Sequence, residues 1–270
     1  MRKTRYDDIL LISDLDGTIV PLYGTISDEN KAAINNFTSA GGAFAIATGR
    51  TPMSALPYMD GIHLNTPSIF LNGAMLKDTL SDTVLNINTL DGEIWRNFAA
   101  RVLYQFPRAC MEVYTETNCY ILSPEENDDP RLLEEFYEIE HTSLTAIEDN
   151  IWLKFFINDA PINLTFVEQL CREIGINHCS NSFYSDTYYL EFVAPNTSKG
   201  AMTTLLRKLP SLDGRQVIAC GDYENDVEML HIADVGIAPA DASESARNAA
   251  NHIGVASNEP LIAWILKEIL

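Results

Sequence analysis

The apolar residues of the chain follow one pattern at its two ends and another in the middle. Near the start, "LLISDLDGT", "AFAIATGR" and "TPSIFLNGA" each contain a short continuous apolar run, which is typical of a strand buried on both faces. A helical pattern, "SDENKAAINNFTSAGG", separates the first two runs; Ser27 or Asp28 can cap it, and Gly41-Gly42 ends it. This order of elements predicts a parallel sheet covered by helices.

Between about residue 80 and about residue 190, polar and apolar residues alternate instead. The alternation is visible in "CMEVYTETNCYIL" and "NIWLKFFIND", and "SFYSDTYYLEFV" predicts a hairpin around Ser185-Asp186. Two segments, "GEIWRNFAARVLYQF" and "INLTFVEQLCREIG", have helical spacing. The middle region therefore predicts an antiparallel sheet with helices on one face.

From about residue 195 strands and helices alternate again, from "TSKGAMTTLLRKL" to the closing helix "EPLIAWILKEIL". We therefore predict an α/β fold in which residues 1–81 and 191–270 form a doubly wound parallel sheet with its helices. Residues 82–190 are predicted to form an α+β domain inserted into it. Three buried strands before the insertion and three after it are expected in one sheet.

The composition agrees with this fold and narrows the range of partners. The 270 residues include 18 basic and 38 acidic ones, and the resulting formal charge of −20 repels nucleic acid and anionic membrane surfaces. No apolar stretch approaches the ~18 residues of a spanning helix, and the apolar run near the start is too short for a signal peptide. Five cysteines without metal-type spacing indicate reduced thiols in or near the core. These features predict a cytoplasmic protein, and they leave the oligomeric state open.

Polar side chains follow the apolar strands at their carboxyl ends, the edge at which α/β sheets bind ligands. The first strand leads into Asp14 and Asp16, which lie two residues apart and so share a face of an extended chain. The other strand ends and the helix after the insertion add Thr48, Gly49, Arg50, Asn72, Gly73, Lys199, Asp222, Asn225 and Asp226. Four carboxylates this close together need a cation, and oxygen ligands without a soft donor favour Mg²⁺.

A divalent cation at these carboxylates would attract an anion despite the negative charge of the chain. Phosphate fits, because Thr48 and the Gly49 amide can donate to its oxygens and Lys199 adds a positive charge. Phosphate beside an aspartate predicts phosphoryl transfer to a carboxylate nucleophile. Asp16 could then protonate the leaving oxygen and later activate water. We expect the substrate to be a small phosphorylated metabolite.

The same residues carry a family resemblance. "DLDGT" at 14–18, "ATGR" at 47–50, Lys199 and "GDYENDVEM" at 221–229 resemble, in this order, the four motifs of the haloacid dehalogenase superfamily phosphatases. "NGA" at 72–74, the "SKG" spacing and the large insertion resemble the Cof-type subgroup, whose cap domain lies between the second and third motifs. The resemblance spans the chain. It implies an Mg²⁺-dependent phosphohydrolase that acts on small phosphomonoesters, such as sugar phosphates, through an aspartyl-phosphate.

The resemblance also implies a role for each residue of the motifs. Asp14 would be the nucleophile and a metal ligand, and Asp16 the acid and base, with its backbone carbonyl on Mg²⁺. Asp222 would be the third metal ligand, and Asp226 would hold metal-bound water or the lysine from behind. Phosphate binding is assigned to Thr48, Gly49, Lys199 and Asn225, and Lys199 would also act in catalysis by screening the carboxylates.

Two other functions share part of this chemistry. A phosphomutase or phosphotransferase passes the phosphoryl group from the aspartate to a second substrate. A receiver-type signalling domain also has an acidic Mg²⁺ pocket and a phosphoaspartate, but it needs neither Asp16 nor the insertion. The chain departs from the family at 236–242, where "GIAPADA" stands in place of a Gly-Asn-Ala stretch. We expect Arg50 to form an ordinary surface or structural salt bridge.

Overall fold

The computed structural model describes residues 6–21, 24–116, 118–134, 139–147 and 151–270; parts of both predicted domains, 1–5, 22–23, 117, 135–138 and 148–150, lie outside the described residues. The strands are β1 Ile9–Ser13, β2 Ala43–Ile46, β3 Ser68–Phe70, β4 Met75–Asp78, β5 Thr83–Ile87, β6 Leu90–Asp91, β7 Cys110–Tyr114, β8 Cys119–Ile121, β9 Ile139–His141, β10 Ile151–Trp152, β11 Lys154–Asn158, β12 Asn181–Asp186, β13 Tyr189–Val193, β14 Gln216–Cys220, β15 Val235–Ala238 and β16 His252–Ile253. The helices are α1 Asp28–Ser39, α2 Pro52–Ala55, α3 Gly92–Gln105, α4 Pro161–Glu173, α5 Lys199–Leu206, α6 Val227–Ile232, α7 Glu244–Ala249 and α8 Leu261–Glu268.

The chain divides into two compact units. The first contains the described residues up to Asn86 together with Ser198–Leu270, and the second is Ile87–Thr197. The limits of the insertion expected from the sequence, 82 and 190, each fall a few residues before these. The difference arises because β5 pairs within a sheet of the first unit, whereas β13 pairs within the sheet of the second.

The first unit is built on a five-stranded sheet in the order β16-β15-β14-β1-β2, with every neighbouring pair parallel. All residues of β1 are buried, which explains why its apolar run is continuous. Ser13 at the end of β1 lies opposite Cys220 of β14 and Ile46 of β2. These three strands therefore end at one level, and the residues that follow them leave from the same edge of the sheet.

The helices of the first unit cover this sheet, and the predicted α/β class is confirmed. Ser27 caps α1 as expected, because its hydroxyl accepts a hydrogen bond from the Asn30 amide at 3.2 Å. α1 packs against α8, whereas α5, α6 and α7 pack against one another. The apolar core between the sheet and the second group of helices includes Ile12, Ala219 and Met202.

The third strand differs from its expected place in the parallel sheet. β3 meets the edge of that sheet through a parallel bridge between Ala47 and Ile69 and a hydrogen bond from the Ile46 amide to the Ser68 hydroxyl, and it pairs antiparallel with β4 in a separate sheet ordered β3-β4-β5. The expectation of six strands in one sheet is wrong at this position. The physical reason is the turn at Leu71–Gly73, which reverses the chain after three strand residues.

The second unit contains a six-stranded sheet in the order β12-β13-β11-β7-β8-β9. Its described pairs are antiparallel except β8 with β9, which is parallel. The predicted hairpin is formed by β12 and β13, but β12 continues through Asp186, so the turn lies one or two residues later than expected. The short pair β6–β10 lies outside this sheet.

Alternation along the strands of the second unit separates two buried layers. Val113, Phe155 and Phe192 point into an apolar core with Trp95 of α3 and Leu164 of α4. The residues directly before these three in sequence, Glu112, Lys154 and Glu191, are also buried but lie on the other side of the sheet. Trp95, Trp152, Phe155 and Phe156 are all buried core residues. None of the helices in the described ranges has the length and apolar character needed to cross a bilayer.

Candidate active site

The predicted nucleophile lies directly after β1, in a buried position. The Asp14 amide donates to the Cys220 carbonyl at 2.9 Å, which continues the pairing of β1 with β14 beyond the last strand residue. The Asp14 carboxylate accepts a hydrogen bond from Lys199 Nζ at 2.7 Å. Lys199 is the first residue of α5, follows the cap residue Ser198, and is completely buried. Residues from the two ends of the chain therefore meet in a buried ion pair.

The turn after β1 brings Asp222 towards Asp14. Gly17 has a φ of +75°, and a Cβ atom at this position would lie 2.3 Å from Asp222 Oδ2, so both the backbone conformation and the close approach require glycine. The Thr18 hydroxyl donates to Asp222 Oδ1 at 2.9 Å. The "DLDGT" stretch thus supplies a carboxylate and also a glycine and a hydroxyl that accommodate the carboxylate of another strand end.

Asp226 holds the loop that follows β14. Its Oδ2 accepts hydrogen bonds from the amides of Asp222 and Tyr223 at 3.0 and 3.2 Å, and its Oδ1 accepts one from Lys199 at 2.8 Å. Asp14, Asp222 and Asp226 each offer a carboxylate oxygen, and these oxygens lie within 4.8 Å of one another. Among the described residues this is the one group of acidic, histidine or cysteine side chains close enough to share a metal ion.

The sequence-based metal set was Asp14, Asp16 and Asp222. The carboxylate group in the structure contains Asp226 in place of the Asp16 side chain, which points to a different partner. The predicted metal ligand is the backbone carbonyl of Asp16, and not its carboxylate. The position of the Asp16 side chain therefore does not conflict with that prediction. The structure thus adds Asp226, predicted only as a supporting residue, to the carboxylates that surround the expected metal position.

Burial and repulsion shape the titration of this group. Burial raises the pKa of the Asp14 carboxyl well above its usual range, and the charge of Lys199 opposes this rise. Burial, with the nearby charge of Asp226, raises the pKa of Asp222 to about 7. Burial alone would lower the pKa of Lys199, but Asp14 and Asp226 raise it above its usual value. Three carboxylates and one ammonium leave excess negative charge, and this oxygen-only donor set fits Mg²⁺.

Asp16 lies in a more open environment than Asp14. Its side chain is 49% exposed and receives two hydrogen bonds of 2.8 Å from Arg50, one to each carboxylate oxygen. The Arg50 guanidinium also donates to Ser54 Oγ at 2.9 Å and lies 4.5 Å above the centre of the Tyr58 ring. The expected salt bridge of Arg50 exists, but its partner is the predicted acid and base.

The residues predicted to bind phosphate are grouped around Asn72. Thr48 is completely buried, and its carbonyl accepts a hydrogen bond from the Asn72 amide at 3.0 Å. Asn225 Nδ2 donates to Asn72 Oδ1 at 3.1 Å. A Cβ atom at Gly49 would lie 2.9 Å from Asn72 Nδ2, so this side chain packs directly on the Gly49 backbone. The contacts bring together loops that are far apart in sequence.

The loop at 236–242 supports the site through its backbone. The Ser243 amide, directly after this loop, donates to the Asp222 carbonyl at 2.8 Å. The Asp241 carboxylate accepts hydrogen bonds of 2.8 Å from both the amide and the hydroxyl of Ser257. Asp241, which is part of the departure from the family pattern, therefore holds the loop in one conformation. The residue after the loop, Ser243, in turn holds the backbone of Asp222.

Comparison with known proteins decides the family. The sequence model of the haloacid dehalogenase-like hydrolases matches residues 11–266, a range that contains every residue of the site described above. The chain belongs to the haloacid dehalogenase-like hydrolases. The predicted resemblance to the Cof-type phosphatases of this superfamily, and the prediction that the protein is an enzyme, are confirmed by the match and by phosphatases among the similar proteins.

Similar proteins within this hydrolase family align over nearly the whole chain. The 5-amino-6-(5-phospho-D-ribitylamino)uracil phosphatase YcsE of Bacillus subtilis is 26% identical over 269 residues, which cover 96% of this chain and 97% of the relative. The pyridoxal phosphate phosphatase YbhA of Escherichia coli is 25% identical over 257 residues, with coverages of 88% and 90%. The solved structure of the subclass IIB sugar phosphatase BT4131 has a TM-score of 0.83 at 19% identity, covers 96% of this chain and 98% of its own, and shows the same fold.

Three residues of this hydrolase make contacts in the site to which the sequence analysis assigned no role. Thr18 contacts Asp222, Arg50 holds Asp16, and Asn72 holds Asn225. Their position in the sequence indicated that they lie near the site, since each belongs to a polar stretch at the carboxyl end of a strand. Their partners could not be read from the sequence, because the contacts of Thr18 and Asn72 cross 204 and 153 residues.

Proposed function

We propose that this hydrolase is an Mg²⁺-dependent phosphatase of small phosphomonoesters and that it works through a phosphoaspartate at Asp14. One observation carries the proposal: a buried carboxylate, Asp14, lies in a group of three carboxylates with a single lysine, two residues before a half-exposed carboxylate. The first arrangement suits a nucleophile beside a cation, and the second suits a group that exchanges protons with a substrate and with water.

The carboxylates of Asp14 and Asp222 and the carbonyl of Asp16 would hold Mg²⁺, with Asp226 beside them. When bound, the ion supplies positive charge that offsets the carboxylates and attracts the phosphate. Lys199 already bridges Asp14 and Asp226, with its Nζ at 2.7 and 2.8 Å from their oxygens. It keeps the Asp14 side chain in one orientation and lowers the repulsion that an approaching phosphate would meet.

In the proposed reaction an oxygen of Asp14 forms a bond to phosphorus as the bond to the ester oxygen breaks. Asp16 gives its proton to that leaving oxygen, so the alcohol departs neutral. Asp16, now a carboxylate, takes a proton from the water that attacks the phosphoaspartate, and inorganic phosphate leaves with Asp14 restored. Arg50 donates to both oxygens of Asp16, so one of these two hydrogen bonds would have to break when Asp16 carries the proton, while the other would keep the carboxyl group oriented.

Thr48, Gly49, Lys199 and Asn225 are the proposed contacts of the transferred phosphoryl group. Thr48 and Lys199 are completely buried, so their positions are set by packing before any substrate arrives. Groups that are fixed in advance stabilise the charge of the transition state without having to reorganise. Lys199 therefore has two proposed contributions, a structural one to Asp14 and an electrostatic one to phosphate.

The substrate class follows from the relatives and from the size of the insertion. Phosphatases of a ribitylaminouracil phosphate, of pyridoxal phosphate and of sugar phosphates share this fold, and their named substrates are all phosphate esters of small polar molecules. We propose the same class here, with sugar phosphates as the leading group. Side chains of Ile87–Thr197 are the proposed source of selectivity, because the proposed chemical residues all lie in the first unit.

The test is a screen of phosphorylated metabolites for release of inorganic phosphate by the full chain, with Mg²⁺ and with an excess of chelator. We expect release from several phosphomonoesters with Mg²⁺, and none with chelator or with the Asp14→Asn variant. Phosphate release without any added acceptor also separates a hydrolase from a phosphomutase. Equal turnover in excess chelator, with metal content verified as nil, would contradict the metal requirement, and a silent screen would contradict the phosphatase assignment for these substrates.

A further inference from the structure

The turn after β3 has an unusual backbone. Three consecutive residues adopt positive φ angles: Leu71 at 50°, Asn72 at 54° and Gly73 at 97°. This conformation is common for glycine, tolerated by asparagine and rare for a branched apolar residue such as leucine. Backbone conformations of this kind cost free energy in residues other than glycine. They persist only where the surrounding structure fixes them, often at functional sites.

The contacts of this turn explain what fixes it. The Leu71 amide donates to the Arg50 carbonyl and the Asn72 amide to the Thr48 carbonyl, each at 3.0 Å. On the other side, a Cβ atom at Gly73 would lie 2.2 Å from the Ser198 carbonyl oxygen, so the chain passes directly against the start of α5. One turn therefore touches both the loop that carries Thr48 and the helix that begins at Lys199.

The side chain of Asn72 adds a third contact. Asn72 is completely buried, and its Oδ1 accepts the hydrogen bond from Asn225 Nδ2 at 3.1 Å. The opposite end of the same carboxamide, Nδ2, packs on Gly49. Asn72 is thus in contact with Gly49 and Asn225 and is a sequence neighbour of the residue packed on Ser198. The turn thus contacts Thr48, Gly49 and Asn225, and it passes against Ser198, the residue before Lys199.

We infer that Asn72 is a positioning residue for the phosphate-binding side of the site. Its carboxamide fixes the orientation of the Asn225 side chain through a hydrogen bond, and it fixes the position of the Gly49 backbone by packing against it. Both donors are therefore aligned before the phosphoryl group arrives. The left-handed run at 71–73 is the device that presents this buried carboxamide between two loops from distant parts of the chain. The inference rests on the proposed function and extends it to a residue that does not itself contact substrate.

The decisive variant is Asn72→Gly, because glycine keeps the left-handed backbone and removes only the side chain. Binding of inorganic phosphate to the Mg²⁺-loaded full chain is measured by calorimetry, and steady-state constants are measured with an aryl phosphate. We expect phosphate binding about 10-fold weaker and KM raised by a similar factor, from one lost orienting hydrogen bond, with kcat changed by less than about threefold. Asp82→Gly, which replaces an exposed residue with a φ of 54°, is the matched control and should leave both constants unchanged.

A double variant tests the route through Asn225. In an Asn225→Ala background, Asn72→Gly should weaken phosphate binding clearly less than it does in wild type, because only one of the two groups that it positions, the Gly49 backbone, is left. Full additivity, unchanged phosphate binding in Asn72→Gly, or a fall in Tm with binding unchanged would each overturn the inference. If Asn72→Gly does not fold, Asn225→Ala alone decides, since unchanged phosphate binding there contradicts the inference that Asn72 aligns both donors for phosphate. A wild-type chain that binds phosphate but hydrolyses no ester would contradict the proposed function and leave this test intact.

Discussion

Each of the two units buries a group of charged side chains, and the two groups differ in how their charges are paired. In the first unit the group contains Asp14, Asp222, Asp226 and Lys199, so three carboxylates share one cation. In the second unit, a group on the polar side of the sheet has three carboxylates with two cations: Glu112, Asp129, Glu191, Arg131 and Lys154.

In the second unit every carboxylate of the group has a cation of its own or shares one at close range. Arg131 lies 2.5 Å from Glu112 and 3.5 Å from Asp129, and Lys154 lies 3.1 Å from Glu191. Arg131 and Lys154 also stack on the ring of Phe156, at 4.7 and 5.5 Å from its centre. Burial raises the pKa of Glu112, but the charges of Arg131 and Lys154 oppose this rise, and the group fixes how the strands and the loop that carries Arg131 pack together.

In the first unit Asp222 has no cation at salt-bridge distance among the described residues, and burial together with the charge of Asp226 raises its pKa, although the charge of Lys199 opposes this rise. Buried carboxylates without sufficient counter-charge destabilise a fold unless a ligand supplies that charge. The comparison teaches that the balance of charge in a buried group, more than the number of charged residues, separates a structural group from a functional one. The predictions below test whether the two groups respond in opposite ways.

The largest effect is expected for Asp14→Asn. Loss of the proposed nucleophile should reduce kcat on an aryl phosphate by at least about 1000-fold, while removal of one like charge leaves Tm unchanged or raises it. Phosphate release and thermal unfolding measured on the same preparation check both parts. Retention of more than a few percent of activity would show that Asp14 is not the nucleophile.

The opposite behaviour is expected for Glu112→Gln in the second unit. Because Glu112 is completely buried and paired with Arg131, its loss should lower the free energy of unfolding by about 2–4 kcal/mol. Urea unfolding measures this change, and the exposed Glu93→Gln, in the same unit, should stay within about 0.5 kcal/mol of wild type. If Glu112→Gln were neutral or stabilising, the charge group of the second unit would not be the structural group described above.

Added Mg²⁺ should stabilise the protein through the first group alone. A concentration of about 100 times the dissociation constant should raise Tm by about 5 °C in wild type, and by the same amount in Glu112→Gln. The rise should be largely lost in Asp222→Asn, which removes one of the ligands. An equal rise in all three proteins would place the bound ion elsewhere.

The smallest effect is a pH dependence of the metal-free protein. Folded Asp222 keeps its proton up to about pH 7, whereas the unfolded chain releases it near its ordinary pKa of about 4. The folded state therefore binds more protons between these values, so the contribution of Asp222 to stability falls as pH rises from about 4 to about 7. Thermal unfolding should find Asp222→Asn more stable than wild type by a margin that grows by up to about 5 °C between pH 5 and pH 8. The exposed Asp213→Asn should show no such trend, and a difference that shrinks at pH 8 would contradict the raised pKa.

Local patterns were sufficient to predict most of the fold. The continuous apolar run before Asp14 predicted β1, the Ser27 cap predicted the start of α1, and alternation predicted the sheet of the second unit. The pairing of β3 could not be predicted, because a buried strand of only three residues has the same pattern in a parallel as in an antiparallel sheet. That choice is made by the left-handed turn which follows it.

The site could be predicted as a set of residues but not as a set of contacts. Strand ends and motif order indicated Asp14, Thr48, Lys199 and Asp222, since parallel strands bring their carboxyl ends to one edge. The pairing of Arg50 with Asp16 and the hydrogen bond from Asn225 to Asn72 depend on loop conformations after the strands. Loop conformations of this kind are fixed by long-range packing, which leaves little trace in local sequence.

The most direct test of the account is to trap the phosphoaspartate. Asp16→Asn removes the proposed base that activates water, so turnover of an aryl phosphate should be slow and the phosphorylated enzyme should accumulate. After an acid quench, mass spectrometry of the digested protein should find one added phosphoryl group on the peptide that contains Asp14, and none in Asp14→Asn/Asp16→Asn. An unmodified peptide during turnover, or a phosphoryl group on any other peptide, would contradict Asp14 as the nucleophile of this hydrolase.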